Sequence, residues 1–263
     1  MRARLTRFQW IVGGTLLAGL PVLAFGSGAV RLLLLGLLCA LSGLCVGLGV
    51  SFPQWQMFGR SLCRAGTNRK VVALTFDDGP DPTNAPALLA LLAERGVRAA
   101  FFCTGERVLQ HPDLARRIVA EGHRVENHSF QHSYRTNLFS VGRLRDDVAR
   151  AQDAVRRHTG QAPRFFRPPM CLTNPRVFRV AGELGLKVVG YAARGLDRRS
   201  DPAGRIVARI MRRVRPGAII LLHDGGVPRD RLLAVVTMLF DKLQADGYQC
   251  LRLDELIGDE DKR

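Results

Sequence analysis

Acidic residues are missing from the first 70 positions, which hold eight basic ones: Arg2, Arg4, Arg7, Arg31, Arg60, Arg64, Arg69 and Lys70. That segment carries half of the net charge of +16. Over residues 71–263 the remaining excess is scattered among acids and is not interleaved with aromatics, which are only 7% of the chain. That distribution argues against a nucleic-acid module. The six cysteines (Cys39, Cys45, Cys63, Cys103, Cys171, Cys250) show no Cys-x-x-Cys spacing and no dense framework, so they read as free thiols and not as a disulfide scaffold. No Gly-rich phosphate loop follows the first β-like run, which removes the usual nucleotide-binding reading. Internal repeats and low-complexity tracts are absent as well.

What is present first is apolar length. Phe8 to Phe25 and Val30 to Phe52 contain no acid and only Arg31 as a charge, and each is near the roughly 20 residues that a spanning helix needs. A secretory signal peptide followed by ordinary core is the weaker reading, because Ala24-Phe25-Gly26 is a poor cleavage site. Residues 1–52 are therefore expected to form a membrane hairpin and residues 53–70 a basic juxtamembrane linker resting on anionic headgroups. Basic residues flank both outer ends of the hairpin, so both ends are expected in the cytoplasm: a multi-pass inner-membrane protein with its globular domain inside. If only one run spans, the domain moves outside.

From Val71 onward short β-like runs alternate with amphipathic helical ones. Strands are expected at Val71–Phe76, Ala99–Cys103, Arg124–Glu126, Arg164–Phe166, Val188–Tyr191, Ala218–Leu222 and Gln249–Leu253. Helices are expected at Ala85–Glu94, Asp113–Glu121, Arg143–His158, Pro175–Leu184, Gly204–Val214 and Arg229–Ala245. Such alternation implies an α/β domain over 71–258 with parallel strands and right-handed crossovers, as an open sheet or a barrel, followed by a charged tail, 259–263. His111, His123 and His158 flank helix ends and read as surface residues; Asp224 receives no role, and Glu126 is expected near the site without ligating.

Two motifs carry chemistry. Asp77-Asp78-Gly79-Pro80 alone reads as a turn, and His128-x-x-x-His132 alone reads as two histidines on one helix face. Together, one aspartate and two histidines make a facial metal site with open positions, and the second aspartate is free to handle protons.

With Arg167-Pro168-Pro169 and Leu221-Leu222-His223 following in order, these motifs resemble the polysaccharide deacetylases of the NodB-homology type, carbohydrate esterase family 4. The resemblance runs from Val71 to about Ile257 and implies a distorted (β/α) barrel, here preceded by two transmembrane helices. It implies a divalent metal, usually zinc, held by Asp78, His128 and His132. Asp77 would be the base that takes a proton from water, and His223 the acid that protonates the departing amine. Arg167 would pair with Asp77. Asp197, in Arg194-Gly195-Leu196-Asp197, would pair with His223 and favour its protonated form. The backbone N–H of Met170 would donate to the oxyanion. Cys171 reads as a packed free thiol beside it.

Two departures touch the sugar groove. Met170-Cys171 stands where relatives commonly have an aromatic residue and glycine, and Arg198 where a tryptophan often follows the fourth-motif aspartate. The expected activity is removal of an acetyl or formyl group from an N-acylated amino sugar by a membrane-anchored amidohydrolase, with membrane lipids as the other partner and no nucleic acid. A cytoplasmic domain favours a lipid-linked sugar; an external one favours a polymer such as peptidoglycan. An O-acyl carbohydrate esterase and a catalytically silent, membrane-tethered sugar-binding protein are the alternatives. Asp77 and His223 argue against the silent one, which needs neither base nor acid.

Overall fold

The computed structural model describes residues 5–258; Arg2, Arg4 and the tail 259–263 lie outside them. Two helices come first, α1 (Arg7–Phe25) and α2 (Gly28–Ser51). A capping box between Thr6 and Gln9 starts α1, and Arg31 folds back so that Nε donates to the Gly26 carbonyl at 2.9 Å across the turn. Midway, the Thr15 and Ser42 hydroxyls bond to each other at 2.6 Å, so the polar groups of the pair are satisfied between the helices. Both helices are long and apolar enough to cross a membrane. Leu16, Leu17, Leu32 and Leu33 stand exposed on them.

The α/β domain contains β1 (Val71–Gly79), α3 (Ala85–Glu94), β2 (Ala100–Cys103), α4 (Gly105–Gln110), α5 (Pro112–Ala120), β3 (Arg124–Asn127), α6 (Val141–Thr159), β4 (Phe165–Phe166), α7 (Pro175–Glu183), β5 (Lys187–Val188), β6 (Ala193–Arg194), α8 (Ala203–Met211), β7 (Ala218–His223), α9 (Arg229–Ala245), β8 (Gln249–Cys250) and α10 (Leu253–Gly258). The strands pair in parallel in the order β5-β4-β3-β2-β1-β7-β6, with β8 joined to the start of β1. This is the expected distorted barrel with helices outside.

β1 is buried along its whole length, and its two faces do different work. Val72, Leu74 and Phe76 pack outward with Leu88, Leu92, Ile118 and Leu239 of the surrounding helices. Val71 and Ala73 point inward with Phe102, Phe165 and Ile219, where Leu253, Leu256 and Ile257 of α10 plug the barrel floor. Thr75 and Asp77 continue the inward face by the two-residue period of a strand.

Residues 53–70 pack into the domain, with Met57, Phe58, Leu62 and Ala65 buried. The Leu62 N–H donates to Val188 O at 2.9 Å and the Gly190 N–H to Leu62 O at 3.0 Å, while the Ala65 N–H donates to Gly217 O at 2.9 Å. The segment thus straps the end of β5 to the start of β7 and closes the wall. Its buried apolar residues alternate with Arg60, Arg64 and Arg69, which is why composition alone reads as a headgroup-facing linker.

Other differences are local. Residues 251–253 leave the expected last strand, because Leu253, Leu256 and Ile257 share one helical face with Asp254 and Glu255 in the first turn. The sequence reading contains neither α4, capped by Thr104, nor β6, two residues long. His123 is a correction: it is buried, its Nδ1 accepts the Ala99 N–H at 3.0 Å, and burial pushes its pKa down to about 4. Glu126 has its partners elsewhere than in the cluster of Asp78, His128 and His132. It lies deep in the barrel, where its carboxylate accepts from Arg124 Nε at 2.9 Å and from the Arg164 and Phe165 amides at 2.7 and 2.9 Å.

Candidate metal centre and active site

Asp77 and Asp78 are neighbours in a strand, so a regular pleat would send their side chains to opposite faces. A bulge prevents this. Asp77 is opposite Phe102 and Gly79 is opposite Cys103, which leaves Asp78 as the extra residue, at φ 70°. Both carboxylates consequently reach His128: its Nε2 lies 3.3 Å from Asp78 Oδ1 and 3.8 Å from Asp77 Oδ2. Gly79 is required beside them, because a Cβ there would collide with the Asp224 carboxylate. Asp224 itself is fully buried, and burial pushes its pKa up to about 7.

His128 leaves the end of β3, and its Nδ1 bonds the Arg167 carbonyl at 2.7 Å. That bond makes Nδ1 the donor and leaves the Nε2 lone pair bare. His132 Nε2 lies 3.2 Å from the same Asp78 oxygen. The two histidines sit on a loop, not on a helix. Ser129 N–H donates to Asn127 Oδ1 at 2.9 Å, Phe130 N–H to Asp147 Oδ2 at 3.0 Å and His132 N–H to Ser129 Oγ at 3.1 Å. Ser129 and His132 have positive φ of 67° and 50°, a backbone cost tolerated where geometry is over-determined by such bonds. The sequence reading assigns no role to Asn127 or Asp147; Asn127, directly before His128, is the one local signal.

The Asp78, His128 and His132 ligand atoms lie within 4.8 Å of one another. Asp78 Oδ1 is buried and has no hydrogen-bond donor among the described residues. Burial alone would raise the Asp78 pKa, but the histidines around it hold it well below the usual carboxylate range. Burial likewise works against charge on His128, yet the two aspartates outweigh it and raise its pKa; His132 is pushed down by burial and by His128. A buried anion facing two imidazole lone pairs fits a divalent cation in both charge and donor type.

Arg167 lies wholly buried under this cluster. Its Nη1 donates to Asp77 Oδ1 at 2.6 Å and to Thr75 Oγ1 at 2.8 Å, and its Nη2 donates to Gly190 O at 2.8 Å. His223 ends β7 directly opposite Asp77. Asp197 accepts from both its Nδ1, at 3.0 Å, and its backbone N–H, at 2.8 Å. Burial lowers the His223 pKa, but the Asp197 bond and charge outweigh it and the net shift is upward. Met170, at φ 56°, and Cys171 line the same pocket of about 300 Å³. Cys171 packs with Tyr191 and Leu221, and burial pushes its thiol up to about 12, which makes it inert. The eight residues singled out from sequence therefore converge on one pocket, with Arg167 beneath its floor.

Comparison with known proteins then decides the family. The model described as "Polysaccharide deacetylase" matches residues 64–189. A peptidoglycan-N-acetylglucosamine deacetylase of Bacillus cereus is 34% identical over 192 residues, covering 72% of this chain and 89% of its own. The chain belongs to the polysaccharide deacetylase family. It is also 35% identical to a chitooligosaccharide deacetylase of Bradyrhizobium over 197 residues, 70% of this chain and 90% of that one. Among solved structures, a family 4 acetyl xylan esterase from Clostridium thermocellum, in complex with a cobalt ion, superimposes with a TM-score of 0.66 at 33% identity, covering 72% of this chain and 91% of that one. As a member of the family the chain is a hydrolase of amide bonds.

Proposed function

We propose that this chain is a membrane-anchored, metal-dependent deacetylase that hydrolyses the N-acyl group of an amino sugar, with N-acetylglucosamine units as the reference substrate from its two deacetylase relatives. The observation that carries this reading is that two proton-handling groups, Asp77 on β1 and its register partner His223 on β7, line one pocket together with the Asp78–His128–His132 cluster. The cluster would hold a divalent cation, with zinc matching the donor set best, and the ion would polarise the acyl oxygen and acidify water. Asp77, fixed by Arg167, takes the proton of the attacking water. The Met170 N–H donates to the oxyanion. His223, kept charged by Asp197, delivers a proton to the nitrogen as the C–N bond breaks, since an amine is too basic to leave as an anion.

The likeness to an acetyl xylan esterase supports an O-deacylase as the second reading. The His223–Asp197 pair favours the first, because ester oxygens need less proton assistance to leave. The basic flanks Arg7 and Arg60 to Lys70 support a hairpin with both ends cytoplasmic. On that topology an Arg157→Cys variant, at a side chain 73% exposed, resists a membrane-impermeant maleimide in intact cells; rapid labelling overturns it.

The full chain, purified in detergent and supplied with zinc, is expected to release acetate from N-acetylated sugar faster than from O-acetylated sugar. Chelation abolishes the release, and Asp77→Asn lowers it by about 10²–10⁴-fold. Release that survives chelation, or an Asp77→Asn variant as active as the parent, rejects the mechanism.

A further inference from the structure

The end of α2 is docked on the rim of the pocket. The Thr173 N–H, three residues after Met170, donates to Val50 O at 3.1 Å, and Arg7 Nη1 donates to Trp55 O at 2.8 Å. The pocket mouth and the ends of both apolar helices are therefore at one level. Exposed apolar side chains gather there: Tyr134 at 75%, Leu138 at 73%, and Met170, Trp55 and Phe52 at about 40%. Asn174 ties the loop that bears Leu138 to the same rim, donating to Asn137 O at 2.8 Å.

A second groove, of about 680 Å³, starts at Phe52 and Trp55 and meets the metal pocket at Arg194 and Leu196, which line both. Its wall contains Arg194, Arg209, Arg212 and Arg213 and no acidic residue. Arg209 is bound to Asp201 at 2.9 Å. Arg194, Arg212 and Arg213 have no carboxylate partner among the described residues; Arg194 stacks on the Tyr191 ring at 4.9 Å. The carbonyl end of α8 accounts for part of this charge, but Arg194 lies on β6 and faces the same space.

A groove with apolar residues at the membrane end, unpaired guanidinium groups along its middle and an amide-cleaving pocket at its far end specifies a ligand in three parts. We infer that this groove is a phosphate subsite, taking the phosphodiester of an N-acylated amino sugar carried on a lipid. The sugar enters the Asp78–His128–His132 pocket, the phosphate meets Arg194, Arg212 and Arg213, and the lipid chain leaves past Phe52 and Trp55 into the bilayer. Guanidinium groups bind phosphate oxygens through paired, charge-assisted hydrogen bonds. A neutral polysaccharide gives them no partner. This inference rests on the proposed N-deacylation for the sugar end only.

The test uses the full chain in phosphatidylcholine nanodiscs with zinc. Binding and acetate release are measured for a farnesyl phosphodiester of N-acetylglucosamine and for the farnesyl glycoside without phosphate. The phosphodiester is expected to bind at least about tenfold more tightly, and an Arg212→Gln/Arg213→Gln variant is expected to lose that preference while keeping its affinity for the glycoside. Arg156→Gln, on a remote helix face, should change neither. Equal binding of the two ligands by the parent, or a preference that survives the double variant, overturns the inference. Loss of the preference in nanodiscs containing phosphatidylglycerol assigns the arginines to bilayer headgroups and overturns it too. A preference without acetate release from either ligand upholds the subsite and rejects the deacetylase reading.

Discussion

Arg198 holds Nη2 2.9 Å from Asp78 Oδ2, while Oδ1 of the same carboxylate faces His128 and His132. A cation thus shares the residue on which the metal cluster turns. Asp78 is already oriented by the bulge in β1, so Arg198 is not needed to aim it, and its charge opposes that of a divalent ion. Arg198→Gln is therefore expected to tighten zinc binding by about tenfold in a competition with a chromophoric chelator. Weaker binding would mean that Arg198 positions the ligand after all.

Arg167 and Asp77 form a buried ion pair at 2.6 Å, both nearly without exposure. Removing one partner leaves the other charged and desolvated, which costs about 3–5 kcal/mol. Arg167→Met is expected to lower stability by that amount in urea unfolding. The added substitution Asp77→Asn should recover much of it, because the orphaned charge is then gone. A double variant no more stable than the single would place the loss in packing against Phe102, whose ring lies 4.2 Å from the guanidinium.

The pH profile of activity should report His223. Its pKa lies above the ordinary histidine value, chiefly through Asp197 once the opposing effect of burial is overcome. A general acid works below its own pKa, so the alkaline limb of kcat against pH belongs to His223. Asp197→Asn removes the stabilising charge and should move that limb to lower pH. An unmoved limb would assign it to another group.

His123 makes a separate prediction about stability. Its pKa falls from 6.5 to about 4 on folding, by burial, while Nδ1 must stay unprotonated to accept the Ala99 N–H. A depressed histidine pKa means that the unfolded chain binds the extra proton first. Stability is therefore lost as pH falls from 6.5 towards 4, by up to about 3 kcal/mol. A His123→Gln variant, which can still accept the bond, should lose stability less steeply over the same range. Parallel slopes for parent and variant would contradict the assignment.

Much of the site was legible because its residues stand at strand ends in motif order. Asp77 and His223 follow apolar runs whose β character is plain, His128 follows the short strand Arg124–Asn127, and parallel strands bring such ends to one rim. Their supports were not legible. Asp147 and Thr75 act through contacts over 17 and 92 positions of sequence, and nothing local marks them; Asn127 alone stands next to a site residue, His128. His123 misled for a related reason: its place after Gly122 looks like an exposed helix end, and only its contacts with the Ala99 amide and the Phe101 ring, 24 and 22 positions back, show it to be buried.

The sequence by itself determined the α/β alternation, the two apolar runs and the candidates for ligand and proton-handling residues. The first two depend on periodicity and length, which are local, and the candidates on the order of short motifs that resemble a known family. The tertiary structure alone decided three things. A bulge turns two adjacent aspartates to one side, the basic strap 53–70 belongs to the barrel wall, and the end of α2 and four arginines share a groove with the metal pocket. Each is a matter of which distant backbone segments meet, and composition carries no record of that.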